Sequence, residues 1–477
     1  MLRANVQTAR DFSLVRRGGR ISPAEDAQAR FLRQLIWLYF ALLIAEGVLR
    51  KWVVPSLSAP LLVIRDPLVL LIYLQAVRCR RFPINGEMVA YFVLLSGFIL
   101  LALVQIILEI GGGPLVALYG LRTNFLHLPL IFVIPQVFSY ADVVKVGRWV
   151  LILSVPMAGL MIWQFLSPPN SWINAATIAE GQQLVSAMGR IRPAAVFSFS
   201  SGAGHFFEIA TAFLIYGWAQ PRAGYSPWLL GAGLLSVAVV QPVSGSRALV
   251  LACSLVVIAA AVFAILNGSR AQRIISFVAL IIAAMAALSM TSFFREALTV
   301  FMTRWDEAGG GNAAQSLSAR VLGGFADPFY IGWEIGPLGM GIGLGTNVGS
   351  ALMNGSQFPI RFLLAEGEWA RMVMEAGPIL GFSFLAYRTW IACGMALRAM
   401  SAATRQNLLA WLLAWGACRS LLNEQLSQPT NLGFMVLSAG LCLATMPRRR
   451  LAYAEDRATR NAQVVQRGLR LETQFPK

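Results

Sequence analysis

Residues 247–266 read RALVLACSLVVIAAAVFAIL, one arginine followed by an uninterrupted run without charge. Wound as a helix, twenty residues cover about 30 Å, the thickness of a bilayer's hydrocarbon core. Comparable apolar runs recur near 33–49, 59–77, 88–108, 116–138, 148–166, 204–219, 228–241, 274–292, 366–390, 406–422 and 431–446. Together they predict an all-α, polytopic transmembrane helical bundle of about twelve spans. A basic segment, 1–32, precedes the spans, the membrane domain covers 33–446, and a basic tail occupies 447–477.

Composition agrees with that frame. The chain is 57% hydrophobic and 13% charged, with a mean hydropathy of +0.64, which is too little polar surface for a soluble body of 477 residues. Its net charge of +17 gathers at the two ends and in short connections. Anionic lipid headgroups explain that pattern, whereas nucleic acid would need a basic face on a soluble domain. About thirty polar and basic residues precede the first apolar run, so no cleavable signal peptide is expected. The five cysteines fall in predicted helices or at their ends, giving no disulfide framework. His127 and His205 are the only histidines and stand apart from any cysteine cluster, so neither a metal nor another cofactor is expected.

Basic residues also set an orientation. Arg78, Arg80 and Arg81, Lys145 and Arg148, Arg270 and Arg273, and Arg388, Arg398 and Arg405 all reach one side if both termini are cytoplasmic. Arg50 and Lys51 are the exception, and are read as pairing with phosphates or as part of a short re-entrant segment. Two long loops, about 167–203 and 293–364, then lie outside. The second carries Phe301, Arg304, Trp305 and Asp306 at near-helical spacing, predicting a short amphipathic helix on the outer leaflet. The glycine run 337–345, PLGMGIGLG, reads as flexible turns after it.

Several charges are inset where a simple anchor would carry none, because ionised groups deep in a bilayer cost roughly 2.5–3.5 kcal/mol each. Residues 365–371, AEGEWAR, open the tenth span with two carboxylates and an arginine. Glu368, Arg371 and Glu375 share a helical face and pair naturally within it, leaving Glu366 free to act as a base. In the turn 241–249, QPVSGSRAL, Ser244 or Ser246 can cap the next helix, and Arg247 sits at its positive terminus. That place suits a phosphate oxygen, or simply an arginine reaching lipid headgroups. Arg190 and Arg192, in the loop before a Ser/Gly run, could also bind phosphate. Arg65 reads as pairing with its neighbour Asp66 or with a carboxylate of another helix, and Arg419 with Glu424 as a structural pair, while Arg122 lacks an adjacent acid and needs a distant partner or a ligand. Arginines facing carboxylates at one membrane surface suggest a polyanion site with acid–base chemistry beside it.

The turn 244–247, the Arg192 loop, the outer loop with 341–347 (GIGLGTN) and the helix 366–381 together resemble the bacterial O-antigen polymerase and O-antigen ligase superfamily of integral-membrane glycosyltransferases. In its ligases the last element begins with His-Asn and continues to an aromatic and then Glu-x-Gly. Here Trp369 takes the aromatic's position, residues 375–377 the later part, and Glu366 the histidine's. The resemblance implies polymerisation of undecaprenyl-diphosphate-linked repeat units into exopolysaccharide or O-antigen, without metal, at the periplasmic face of the inner membrane. Arg122, Arg192, Arg247 and Arg371 would hold the diphosphate, and Glu366 or Glu368 would assist deprotonation of the acceptor. Ligase-type transfer to another acceptor, or transport of a lipid-linked glycan by a flippase, are the alternatives. Membrane lipids, a chain-length regulator and a flippase are the implied partners, with no nucleic acid.

Overall fold

Five apolar runs begin at a residue built for the purpose. Asn85, Ser139, Ser226, Ser246 and Asn407 each accept, through a side-chain oxygen, the backbone N–H three residues on. At Ser139 the bond is reciprocal, with the Asp142 carboxylate reaching back to the Ser139 N–H in a capping box. Otherwise unpaired N–H groups are thereby satisfied where each helix starts.

The computed structural model describes residues 23–177, 186–268, 270–307, 313–346, 349 and 367–446. Its regular elements are all helical. In chain order they are α1 Pro23–Val48, α2 Asp66–Arg78, α3 Gly86–Ile107, α4 Gly113–Leu121, α5 Leu130–Val137, α6 Tyr140–Leu166, α7 Ser200–Ala219, α8 Pro227–Val243, α9 Arg247–Asn267, α10 Ala271–Leu288, α11 Ser292–Glu307, α12 Ala313–Glu334, α13 Glu368–Thr404, α14 Leu408–Asn423 and α15 Pro429–Ala444. Eight helices are long and apolar enough to cross a membrane, and α8, α14 and α15 are shorter apolar helices. The chain is therefore a helical bundle of multi-pass membrane type. The 20-residue α7 is not among the eight; it is buried on almost every side between α6, α9, α14 and α15, and forms the axis of the bundle.

The connections between the helices give the bundle two unlike ends. At the first, connections are short and basic side chains close them. Arg81 donates to Gln136 O, Arg148 to Gly224 O, Arg273 to Ala219 O and Arg270 to Gln406 O. The second end carries the long loops and α11. That helix is amphipathic as its spacing predicts, with Phe294, Ala297 and Val300 buried and α8 beneath it.

Three local features differ from the sequence reading. The tenth span is not one rod from 366 to 390. At Gly377 the backbone turns to φ +71°, ψ 171°, and residues 368–376 fold back along the arm 378–404. A Cβ on Gly377 would meet Pro337 O at 2.2 Å, so only glycine suits the reversal. Arg388, read as a basic residue of a short connection, consequently lies buried inside α13. The glycine run is also strapped down rather than flexible. Glu375 accepts from the N–H groups of Gly343 and Gly345, at 3.1 and 2.9 Å. Gln105 of α3 donates to Leu338 O and Glu375 O and accepts from Ile342 N–H. Finally, Arg50 and Lys51 turn inward on a π-helical turn, Leu49–Val53, where they reach Ser198 Oγ and Ala195 O.

Candidate functional site

The turn between α8 and α9 is a small polar platform at the loop-rich end. Ser244 Oγ accepts from Ser246 N–H at 3.2 Å, and Ser246 Oγ caps α9 through Leu249 N–H at 3.4 Å. Arg247, the first residue of α9, is half-buried, its guanidinium 5.7 Å from the ring centre of Trp305 in α11. Gly245 has φ +55°, and a Cβ there would approach Ser186 Oγ to 2.9 Å and Arg192 Cγ to 3.8 Å. The Arg192 loop thus lies directly against the turn that ends in Arg247. Two buried polar atoms of that loop, Arg192 Nε and Ser186 Oγ, have no hydrogen-bond partner. Arg190 is engaged elsewhere, by Glu296 of α11 and by Phe165 O.

A second cluster stands at nearly the same depth, since a Cβ on Gly204 of α7 would lie 3.8 Å from Leu249 of α9. Arg419 of α14 reaches Glu208 at 2.7 and 3.1 Å, Glu424 at 2.5 Å and His205 Nδ1 at 3.1 Å. The other ring nitrogen of His205, Nε2, lies 3.1 Å from Glu424. Phe434 stacks on the His205 ring. The Arg419 side chain is 28% exposed, so this ion cluster opens to the outside on the arginine's edge. Burial alone would raise the Glu424 carboxyl; His205 and Arg419 outweigh it and hold the group well below the usual glutamate range.

The third cluster is closed. Arg371 donates to both oxygens of Glu368 at 2.8 Å, to Glu375 at 2.9 Å and to Asn124 Oδ1 at 2.9 Å. Arg388 adds a bond to Glu368 at 2.9 Å and further bonds to Ser420 O, Leu421 O and Glu424 O. Glu368 has no exposed surface. Each charge is matched and each carboxylate oxygen bonded, the condition for ions to persist in an apolar interior.

A fourth chain of polar groups links α1, α2 and the π-helical turn Arg122–Leu126. Arg122 forks onto Asp66 at 2.6 and 2.7 Å. Asp66 also meets His127 Nε2 at 3.0 Å, and His127 Nδ1 accepts from Tyr39 at 3.0 Å. Arg65 pairs with Glu46 of α1 at 2.9 Å, leaving its neighbour Asp66 to Arg122.

The sequence-derived candidates therefore divide. Arg192 and Arg247 meet at one turn, whereas Arg122 and Arg371 lie in two separate ion networks. Glu368 is enclosed between Arg371 and Arg388, and Glu366 lies outside the described residues. Sequence reasoning paired Arg419 with Glu424, as the structure does at 2.5 Å, but it did not join His205 and Glu208 to them and it placed Arg388 in a connection. The signal available was a histidine and a glutamate at i, i+3 inside an apolar helix, where a pair of ionisable groups rarely stands without partners. Among the described residues, no group of three or more His, Cys, Asp or Glu side chains could hold a metal ion. No family model matches the chain, and no curated protein matches it.

Proposed function

We propose that the protein is a membrane glycosyltransferase that polymerises undecaprenyl-diphosphate-linked repeat units at the outer face of the bacterial inner membrane. In this reading the chain crosses the bilayer about twelve times with both termini cytoplasmic, the loop-rich end facing the periplasm. The observation that carries it is the meeting of Arg192 with the capped N-terminus of α9 at Arg247, beside the buried and unpartnered Arg192 Nε. Two guanidinium groups at a positive helix end suit a diphosphate.

The acceptor sugar hydroxyl attacks the anomeric carbon of the donor. The bond from that carbon to the phosphate oxygen breaks, and the arginines take up charge growing on the departing lipid diphosphate. A base removes the hydroxyl proton. Glu366 is that base in this reading, because both oxygens of Glu368 already accept from arginines. Arg122 and Arg371 serve by fixing the helices around the site.

The test is polymer formation by purified protein from a lipid-diphosphate-linked repeat unit, with and without a chelator. The Arg192→Ala/Arg247→Ala variant should lose polymer at normal membrane abundance. Polymer of unchanged length and yield from that variant would overturn the reading, and loss of wild-type activity to the chelator would remove the metal-free mechanism.

A further inference from the structure

At the opposite end of the bundle from the Arg192–Arg247 turn, a cavity of about 120 Å³ lies between α3, α5 and the long arm of α13. That is room for about four water molecules, or for one small polar headgroup. Two of the residues lining it are glycines, Gly86 at the start of α3 and Gly394 in α13, and a Cβ added to either would meet nothing within 4 Å. The rest of the wall is largely apolar. Phe132 of α5 contributes to it, and so does Trp390, about 12 Å along α13 from Arg398.

An ion pair lines the same space. Arg398 donates from Nη2 to Glu87 Oε1 at 2.9 Å, the single bond between the two side chains. Among the described residues, no other hydrogen bond reaches the Arg398 guanidinium or the second carboxylate oxygen of Glu87. Glu87 is nonetheless nine-tenths buried, while a third of the Arg398 side chain is exposed. Buried carboxylates elsewhere in this chain, Glu368 and Glu375, have both oxygens occupied. Glu87 therefore holds an acceptor in reserve and Arg398 further donors, side by side in one cavity, and Gly86 adds the positive start of α3.

We infer that this cavity binds the headgroup of a zwitterionic phospholipid carrying a primary ammonium, phosphatidylethanolamine. Its phosphate meets the free edge of Arg398 and the start of α3, and its ammonium donates to the open oxygen of Glu87. Charge selects this occupant. The two side chains sum to zero, so a headgroup that also sums to zero, with its charges apart, leaves none unmatched. An anionic headgroup would satisfy Arg398 and press against Glu87, and a choline headgroup has no N–H to donate. The apolar wall makes the ligand a lipid rather than a free phosphate ester, since Trp390, Leu397 and Met400 are exposed along the same arm of α13, where acyl chains would lie. The site is independent of the proposed reaction, which belongs to the other end.

The test is native mass spectrometry of the full chain in a non-ionic detergent, with phosphatidylethanolamine, phosphatidylcholine and phosphatidylglycerol of identical acyl chains at equal mole fraction. The first lipid adduct should be phosphatidylethanolamine by at least about tenfold over either competitor, the equivalent of about 1.4 kcal/mol. Glu87→Gln should bring the ethanolamine and choline lipids level. Gly394→Leu, which leaves the ion pair in place and fills open space, should cut the ethanolamine adduct to the level of the others. Glycerophosphoethanolamine, the same headgroup without chains, should fail to displace the lipid at equal concentration. Equal adducts of the three lipids on the wild-type protein, or a preference for phosphatidylglycerol, overturn the assignment, and so does a preference that survives both substitutions. Displacement by the chainless headgroup would give the cavity to a free phosphate ester and remove the lipid.

Discussion

Arg388 Nη1 stands 2.9 Å from Glu368 Oε1, although twenty residues of the same helix separate them. On a straight helix they would lie about 30 Å apart. The contact exists because the chain reverses at Gly377, and it closes the charge balance of the folded-back arm. Arg371 supplies one cation to Glu368 and Arg388 the other, so the carboxylate joins the two arms of α13.

Glu368→Gln would leave the buried Arg388 guanidinium without a carboxylate and Arg371 with Glu375 alone. The expected loss is about 3–5 kcal/mol, the usual cost of breaking a buried pair from one side. Arg388→Met should cost less, since Glu368 keeps Arg371. Thermal unfolding in detergent would compare them, and equal midpoints for both variants and wild type would show that the arm does not depend on these ions.

Gly377→Ala tests the reversal itself. An alanine at φ +71° is strained, and its Cβ would sit 2.2 Å from Pro337 O. The cost should exceed about 1 kcal/mol, the ordinary penalty for a side chain at positive φ. Gly394, on the straight part of α13 with open space around it, is the control, and Gly394→Ala should be neutral or better. Equal loss at both sites would remove the special role of Gly377.

Acid should weaken the Arg419 cluster. Glu424 ionises more readily in the folded protein than in the unfolded chain, so the unfolded chain binds more protons in mild acid. Its contribution is complete above about pH 5 and drains away as pH falls from the ordinary glutamate value near 4.3 toward the lowered one. Glu424→Gln should flatten that limb of the stability–pH curve. A variant that kept the wild-type slope would assign acid sensitivity to another group.

Orientation can be read with single cysteines in a cysteine-free background. Asp306→Cys in α11 should react with an impermeant thiol reagent in intact spheroplasts, and Gln406→Cys only after permeabilisation. The opposite pattern would put the loop-rich end in the cytoplasm and separate it from any periplasmic chemistry.

Glu366→Gln keeps size and hydrogen bonding but cannot take a proton. Turnover of a lipid-linked repeat unit should fall by roughly 10²–10⁴-fold if the group is a general base. Full activity would move the proton to a different acceptor.

Apolar length made the helical bundle and most of its spans legible, because a bilayer leaves the backbone few options and the run lengths follow from its thickness. The amphipathic α11 and the cap at Ser246 were likewise local signals, and so was the pairing among Glu368, Arg371 and Glu375. Long-range partners were not. Nothing near Arg122 in sequence names Asp66, fifty-six residues earlier, and of the two partners open to Arg65, its neighbour Asp66 or a carboxylate of another helix, only the fold selects Glu46. The fold-back of α13 was hidden for a different reason. Its two arms read as one apolar run, and the decisive φ belongs to a glycine that could equally have sat inside a plain helix.

Gln105 has a consequence for how the molecule is made. Its amide serves Leu338 and Glu375, which follow it by 233 and 270 residues. At translation rates of about 5–20 residues per second, α3 waits on the order of ten to fifty seconds before those partners exist. Throughout that interval a polar amide stands on a membrane helix without its eventual neighbours, and it becomes satisfied only when the glycine run and the folded-back arm arrive together. The last third of the chain therefore completes the first, and a chain cut short before α13 would leave α3 with an open hydrogen-bonding position that insertion chaperones or stray lipid headgroups could occupy.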